Sequence, residues 1–96
     1  MTINQINLIL NELKKTDKDL TELSAWDNIF AITLKSNRAI YPSENKKIIF
    51  DNAHELLLEY EKHGNTHYLS TIYPYDAIFD ITAVNINHKK KSYKAV

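Results

Sequence analysis

Apolar residues recur along this chain with two different periods. Ile3, Ile6, Ile9, Leu10 and Leu13 share one arc at about 100° per residue, the spacing of an amphipathic helix. Thr2, followed three residues later by Gln5, has the pattern of a capping box and starts that helix at about residue 3. Leu8 falls off the arc. Leu20 keeps the phase, so the helix extends to about Leu23, or else Thr16 caps a second short helix beginning Thr16-Asp17-Lys18-Asp19. Ser24 to Asn28 breaks the pattern, with Trp26 expected to plug a core edge.

The next stretches carry strand-forming types. Ile29 to Leu34 is a β-rich run, Lys35-Ser36-Asn37 a turn, and Arg38 to Tyr41 a returning strand stopped by Pro42. Lys46 to Phe50 is a further short strand. Residues 52–63 are strong helix formers, with Asp51 placed as N-cap and Gly64, the one glycine, placed as the C′ residue. Ala53, Leu56, Leu57 and Tyr60 then form its core stripe. Thr66 to Tyr73 reads as a strand, Pro74-Tyr75-Asp76 as a turn, and Ala77 to Ile86 as a strand in preference to a helix capped by Asp76. Ser92 to Val96 adds a last strand or stays a loose tail. The expected architecture is a single α+β domain over residues 1–96. It has one antiparallel sheet of about four to five strands and two main helices on one face, with residues 88–96 a candidate flexible basic tail.

Composition narrows the function classes. The 96 residues hold 12 Lys+Arg, 12 Asp+Glu, no Cys and one Gly. A single glycine excludes Walker and dinucleotide loops, and no cysteine excludes disulfides, thiol catalysis and cysteine zinc sites. Apolar runs such as Ile48-Ile49-Phe50 and Leu56-Leu57-Leu58 are far below the roughly 20 residues of a membrane span. No signal-peptide pattern opens the chain, and a cytoplasmic protein is expected. His54, His63, His67 and His88 lack ligand spacing, so no metal and no cofactor is assigned.

Charge distribution says more than the zero net charge. Asp51, Glu55, Glu59 and Glu61 form an acidic ladder on the expected second helix, beside an outward Leu58. Tyr73 and Tyr75 on one turn are candidate aromatic anchors. These residues point to stoichiometric binding of a larger protein or nucleoprotein, by steric and electrostatic occlusion. Lys89, Lys90, Lys91 and Lys94 offer the alternative of nucleic-acid contact. His54, Glu55 and His67 offer that of a small nuclease or hydrolase, and a homodimer through exposed strands is a further option. In size and composition the chain resembles small accessory proteins of phages and mobile elements, such as anti-CRISPR and toxin-immunity proteins. That resemblance implies an inhibitor of one host target with no catalytic residue.

Overall fold

The computed structural model describes residues 1–14, 29–84 and 90–95. The expected continuation of the first helix to Leu23, the helix capped by Thr16, the Trp26 plug and Lys89 lie outside these residues. Among them the order is one helix, α1 (Ile3–Lys14), and seven strands: β1 (Ile29–Leu34), β2 (Ala39–Ile40), β3 (Lys46–Asp51), β4 (Leu56–His63), β5 (Thr66–Pro74), β6 (Ile78–Val84) and β7 (Lys90–Lys94). A 3-10 turn, Tyr75–Ala77, joins β5 to β6. All pairings are antiparallel, in two sheets ordered β2-β1-β6-β7 and β3-β4-β5.

The helix starts as its sequence requires. Thr2 N–H donates to Gln5 Oε1 at 2.8 Å and Gln5 N–H donates to Thr2 Oγ1 at 3.2 Å, the two halves of a capping box. Ile6, Ile9, Leu10 and Leu13 are buried and Leu8 is 68% exposed, as the arc demands. The Met1 amine donates to the carbonyls of Tyr75 and Ile78 at 2.7 and 2.8 Å, which pins the helix start to the 3-10 turn. Burial there pushes the amine below its ordinary value. The inner faces of both sheets close on α1. Ile32, Leu34, Ile40, Ile78 and Ile81 of one sheet share a single cluster with Ile48, Phe50, Leu57 and Tyr73 of the other.

The main correction concerns residues 52–63. They form no helix: residues 52–55 turn, and β4 follows as the central strand between β3 and β5. Two expected helices therefore become one among the described residues, and one sheet becomes two. Asp51 does cap as expected, since its Oδ1 accepts from His54 N–H at 3.3 Å. The cap closes a single turn, however, because Glu55 swings to φ +53° and leaves the helical region. Three consecutive leucines, Leu56 to Leu58, sweep about 200° around a helix. In a strand they serve its two faces. Both flanking segments are strands in need of a middle partner, and that outweighs a helix propensity worth tenths of a kcal/mol per residue.

Gly64 does not end a helix. With Asn65 it forms a two-residue hairpin loop between His63 and Thr66, and it takes φ +63°. The β1–β2 loop Lys35-Ser36-Asn37 closes with Asn37 at φ 71°. Residues 78–84 are strand, in line with the preferred reading. Of the two readings of the last residues, a strand or a loose tail, the strand is the one seen, with Lys90–Lys94 paired to β6.

Two carboxylates are buried among the described residues, Asp80 of β6 and, more deeply, Glu59. Glu59, on β4, is fully inaccessible. Tyr73 of β5 donates its hydroxyl to Glu59 Oε1 at 3.2 Å. Arg38, just before β2, brings Nη2 to 3.7 Å of Oε1, and Lys46 of β3 brings Nζ to 3.8 Å of Oε2.

Two outcomes follow for stability. Gly64→Ala has open space for its methyl, so its cost is the left-handed backbone alone, about 1 kcal/mol, whereas Glu55→Gly gains about 0.5–1 kcal/mol, both read by urea unfolding. Lys46→Met costs about 1–2 kcal/mol in the native background and less beside Glu59→Gln, because neutralising the buried carboxylate removes its need for a cation. Equal costs in both backgrounds would show that the pair is not coupled.

Candidate functional site

Alternation along β3, β4 and β5 gives their sheet two unlike faces. The inner face carries Phe50, Leu57 and Tyr73 in one register row and Ile48, Glu59 and Thr71 in the next. The outer face carries Asp51, Leu56 and Pro74, then Ile49, Leu58 and Ile72, then Lys47, Tyr60 and Leu69, then Lys62 and His67. Ile49, Leu56, Leu58, Tyr60, Leu69 and Ile72 neither belong to the core cluster nor pack against it. Leu69 and Ile72 are 48% and 49% exposed. With strands about 4.8 Å and rows about 7 Å apart, this apolar surface covers roughly 200 Å². Isolated surface hydrophobes are ordinary, and these six residues instead form one contiguous patch, no larger than the largest patch on a typical monomer.

The anticipated site residues separate into three groups. Asp51 and Leu58 lie on the outer face, Leu58 at its centre. Glu59, Tyr73 and Tyr75 are buried, so they offer nothing to a partner from this surface. Tyr73 serves Glu59, and Tyr75 donates its hydroxyl to Asn52 Oδ1 at 2.6 Å while its ring tilts against Phe50. Charge reversal at Glu59 would set a third cation beside Arg38 and Lys46, and is a change to the core. Glu61, on the inner-face side, pairs with Lys46 at 3.9 Å. Glu55 sits exposed in the β3–β4 turn. The acidic ladder is thus dispersed, because a period of two sends Glu59 and Glu61 to the face opposite Leu58.

At the Asp51 end, His54, Glu55, Leu56, Pro74, Tyr75 and Asp76 line a shallow depression of about 210 Å³. His54 Nδ1 lies 2.8 Å from Asp51 Oδ2, and that hydrogen bond holds the Asp51 carboxyl below its usual range. His67, the other histidine considered for hydrolysis, is at the opposite end of the face, with Nε2 3.1 Å from the Glu44 carbonyl. It does not converge with His54 and Glu55. Among the described residues no group of three or more His, Asp or Glu side chains is placed to hold a metal ion.

Of the lysines considered for nucleic acid, Lys90, Lys91 and Lys94 lie on β7. Lys90 Nζ sits 3.6 Å from the Phe30 ring centroid, and Lys91 Nζ lies 3.5 Å from Glu12 Oε2. Lys94 faces Asp80 across the register. Between α1 and β7, Leu8, Ile9 and Tyr93 border two adjoining depressions of about 190 and 260 Å³. No helix among the described residues is long and apolar enough to cross a membrane. Compared with family models, curated proteins and solved structures, the chain matches none.

Sequence reasoning missed Ile49, Leu56, Tyr60, Leu69 and Ile72 as surface residues. The available signal was the Gly64-Asn65 pair between two runs of about eight residues, which marks a hairpin and therefore a strand before it.

Two phenols report on this packing. Burial pushes Tyr75 up to about 12, aided by the charges of Asp51 and Glu55. Burial also pushes Tyr93 up to about 12, aided by its 2.5 Å hydrogen bond to Glu12 and that carboxylate's charge. Raised folded values favour the protonated phenols, so their contribution is complete below pH 10 and is lost as pH rises through about 12. In a tyrosinate absorbance titration, Tyr75 and Tyr93 should ionise only near pH 12, with Tyr73 also held up by burial beside Glu59, and Glu12→Gln should bring Tyr93 down. Six phenols ionising together near pH 10 would contradict this packing.

Proposed function

We propose that the chain is a non-enzymatic interaction protein that acts by stoichiometric binding of a larger protein, with the outer face of β3-β4-β5 as its working surface. The observation that carries this reading is the contiguous row structure of Ile49, Leu58 and Ile72 beside Leu56, Tyr60 and Leu69, on the sheet face turned away from the core. Strands hold these side chains in fixed positions, so little ordering entropy is lost on docking. Occlusion needs nothing further: an area of target surface covered by a rigid sheet is closed to other ligands. An inhibitor of the phage or mobile-element type fits this mode of action.

The test is a comparison of variants against a partner identified by affinity capture after nuclease treatment. Leu58→Glu should weaken that partner's binding by at least about tenfold, as for a central contact, with an unchanged melting transition. Tyr41→Ser, exposed but at the end of β2, should bind normally. Equal binding by Leu58→Glu would remove the face from the interface. Loss of the partner on nuclease treatment would favour the β7 lysines and nucleic acid.

A further inference from the structure

The outer face has an electrostatic polarity along its strands as well as an apolar centre. At one end stand three carboxylates: Asp51 in the first row, and Glu55 and Asp76 around the depression beside Leu56 and Pro74. At the other end stand Lys47 and Lys62, and neither of their rows contains a carboxylate. The row centred on Leu58 separates the Asp51 row from the Lys47 row, and Asp51 and Lys47 are four residues apart on one strand, roughly 13 Å. His54 lies at the acidic end, hydrogen-bonded to Asp51, and His67 at the basic end, so neither reverses the polarity.

A surface that is acidic at one end, basic at the other and apolar between is complementary to itself after a half-turn. A two-fold axis through the region of Leu58 sets the acidic end of one copy over the basic end of the next, twice, while the apolar rows meet in the middle. This is the isologous arrangement of a cyclic dimer, in which one patch serves both partners. The formal net charge of the whole chain is zero, so two copies approach without overall repulsion. We propose that the outer face of β3-β4-β5 is occupied by a second copy of this chain, packed antiparallel, when no other protein holds it. The inference rests on reading that face as the working surface, and it adds a regulation: the second copy and the target compete for the same rows. The apolar footprint of roughly 200 Å² is well under half of the roughly 800 Å² per partner of a standard stable interface. The dimer is therefore weak and concentration-dependent, and a tighter target displaces it.

Sedimentation equilibrium of the full chain over a range of concentrations tests the proposal, with charge-swapped variants as probes. Wild-type protein should show monomer–dimer exchange with dissociation in the micromolar-to-millimolar range. One variant, Glu55→Lys with Asp76→Lys, makes both ends basic. The other, Lys47→Glu with Lys62→Glu, makes both ends acidic. Each alone should self-associate at least about tenfold more weakly than wild type, and an equimolar mixture should recover association as a heterodimer. All four positions are exposed or half-buried, and a melting curve checks each fold. Leu58→Glu should abolish association in every background. A wild-type monomer at about 1 mM overturns the proposal, as does a mixture no tighter than its components. If wild type stays monomeric while Leu58→Glu still loses a captured target, the second-copy inference fails and the working surface stands. If dimerisation is intact in Leu58→Glu and target binding is too, both fail together.

Discussion

The carboxylate of Glu59 ties together four separate pieces of backbone. It is carried by the central strand of one sheet and met by Tyr73 from one neighbouring strand and Lys46 from the other. Arg38 reaches it from the hairpin of the second sheet, with its guanidinium 5.7 Å from the Tyr73 ring. A fully buried carboxylate left alone would be strongly destabilising, so the sheets close over Glu59 only where Tyr73, Lys46 and Arg38 are brought beside it. Hydrophobic contact between the sheets is non-directional, whereas this network accepts one register. Apolar burial draws the sheets together, and the charge selects how they meet.

The same constraint explains the distribution of polarity across β4. Strand periodicity puts Leu57 and Glu59 on the inner face and Leu56, Leu58 and Tyr60 on the outer one. The inner face therefore hosts the charge, where Tyr73 hydrogen-bonds one oxygen and Arg38 and Lys46 stand at ion-pair distance, Oε2 itself accepting no hydrogen bond. The outer face is left apolar, with its charges confined to the ends. A sheet built this way has little reason to keep its outer face bare, and it is suited to a protein that works by covering or being covered. Bulges contribute a related effect in the four-stranded sheet. Register shifts leave Phe30 and Phe79 without direct partners, and both remain about two-fifths exposed.

Local chemistry was legible wherever it could be satisfied within a few residues. The Thr2–Gln5 box, the buried arc of α1, the strand Ile29–Leu34, the Lys35–Asn37 turn and the Asp51 cap all appear in the structure at the positions their residue types imply. The helix expected over residues 52–63 failed for the opposite reason. Its residues favour a helix in isolation, but an isolated helix of that length is marginal in water, and the flanking strands supply hydrogen-bond partners on both sides. One misassigned element also misplaced the site, since a period of 3.6 groups Glu55 with Glu59 and a period of two sends Glu59 into the core.

What the sequence by itself determined is a set of local conformations: the capped helix, the turn at Asn37, and the β-rich runs, each decided by side-chain sterics and short-range hydrogen bonds. It also determined the absence of glycine-rich and thiol chemistry, which depends on residue type alone. The tertiary structure decided the rest. It set β4 between β3 and β5, buried Glu59, Tyr73 and Tyr75, and brought Ile49, Leu58 and Ile72 from three strands into one row. Those outcomes depend on pairing residues far apart in the chain. The free energy of such pairing comes from burial and from ladder hydrogen bonds that no single segment contains.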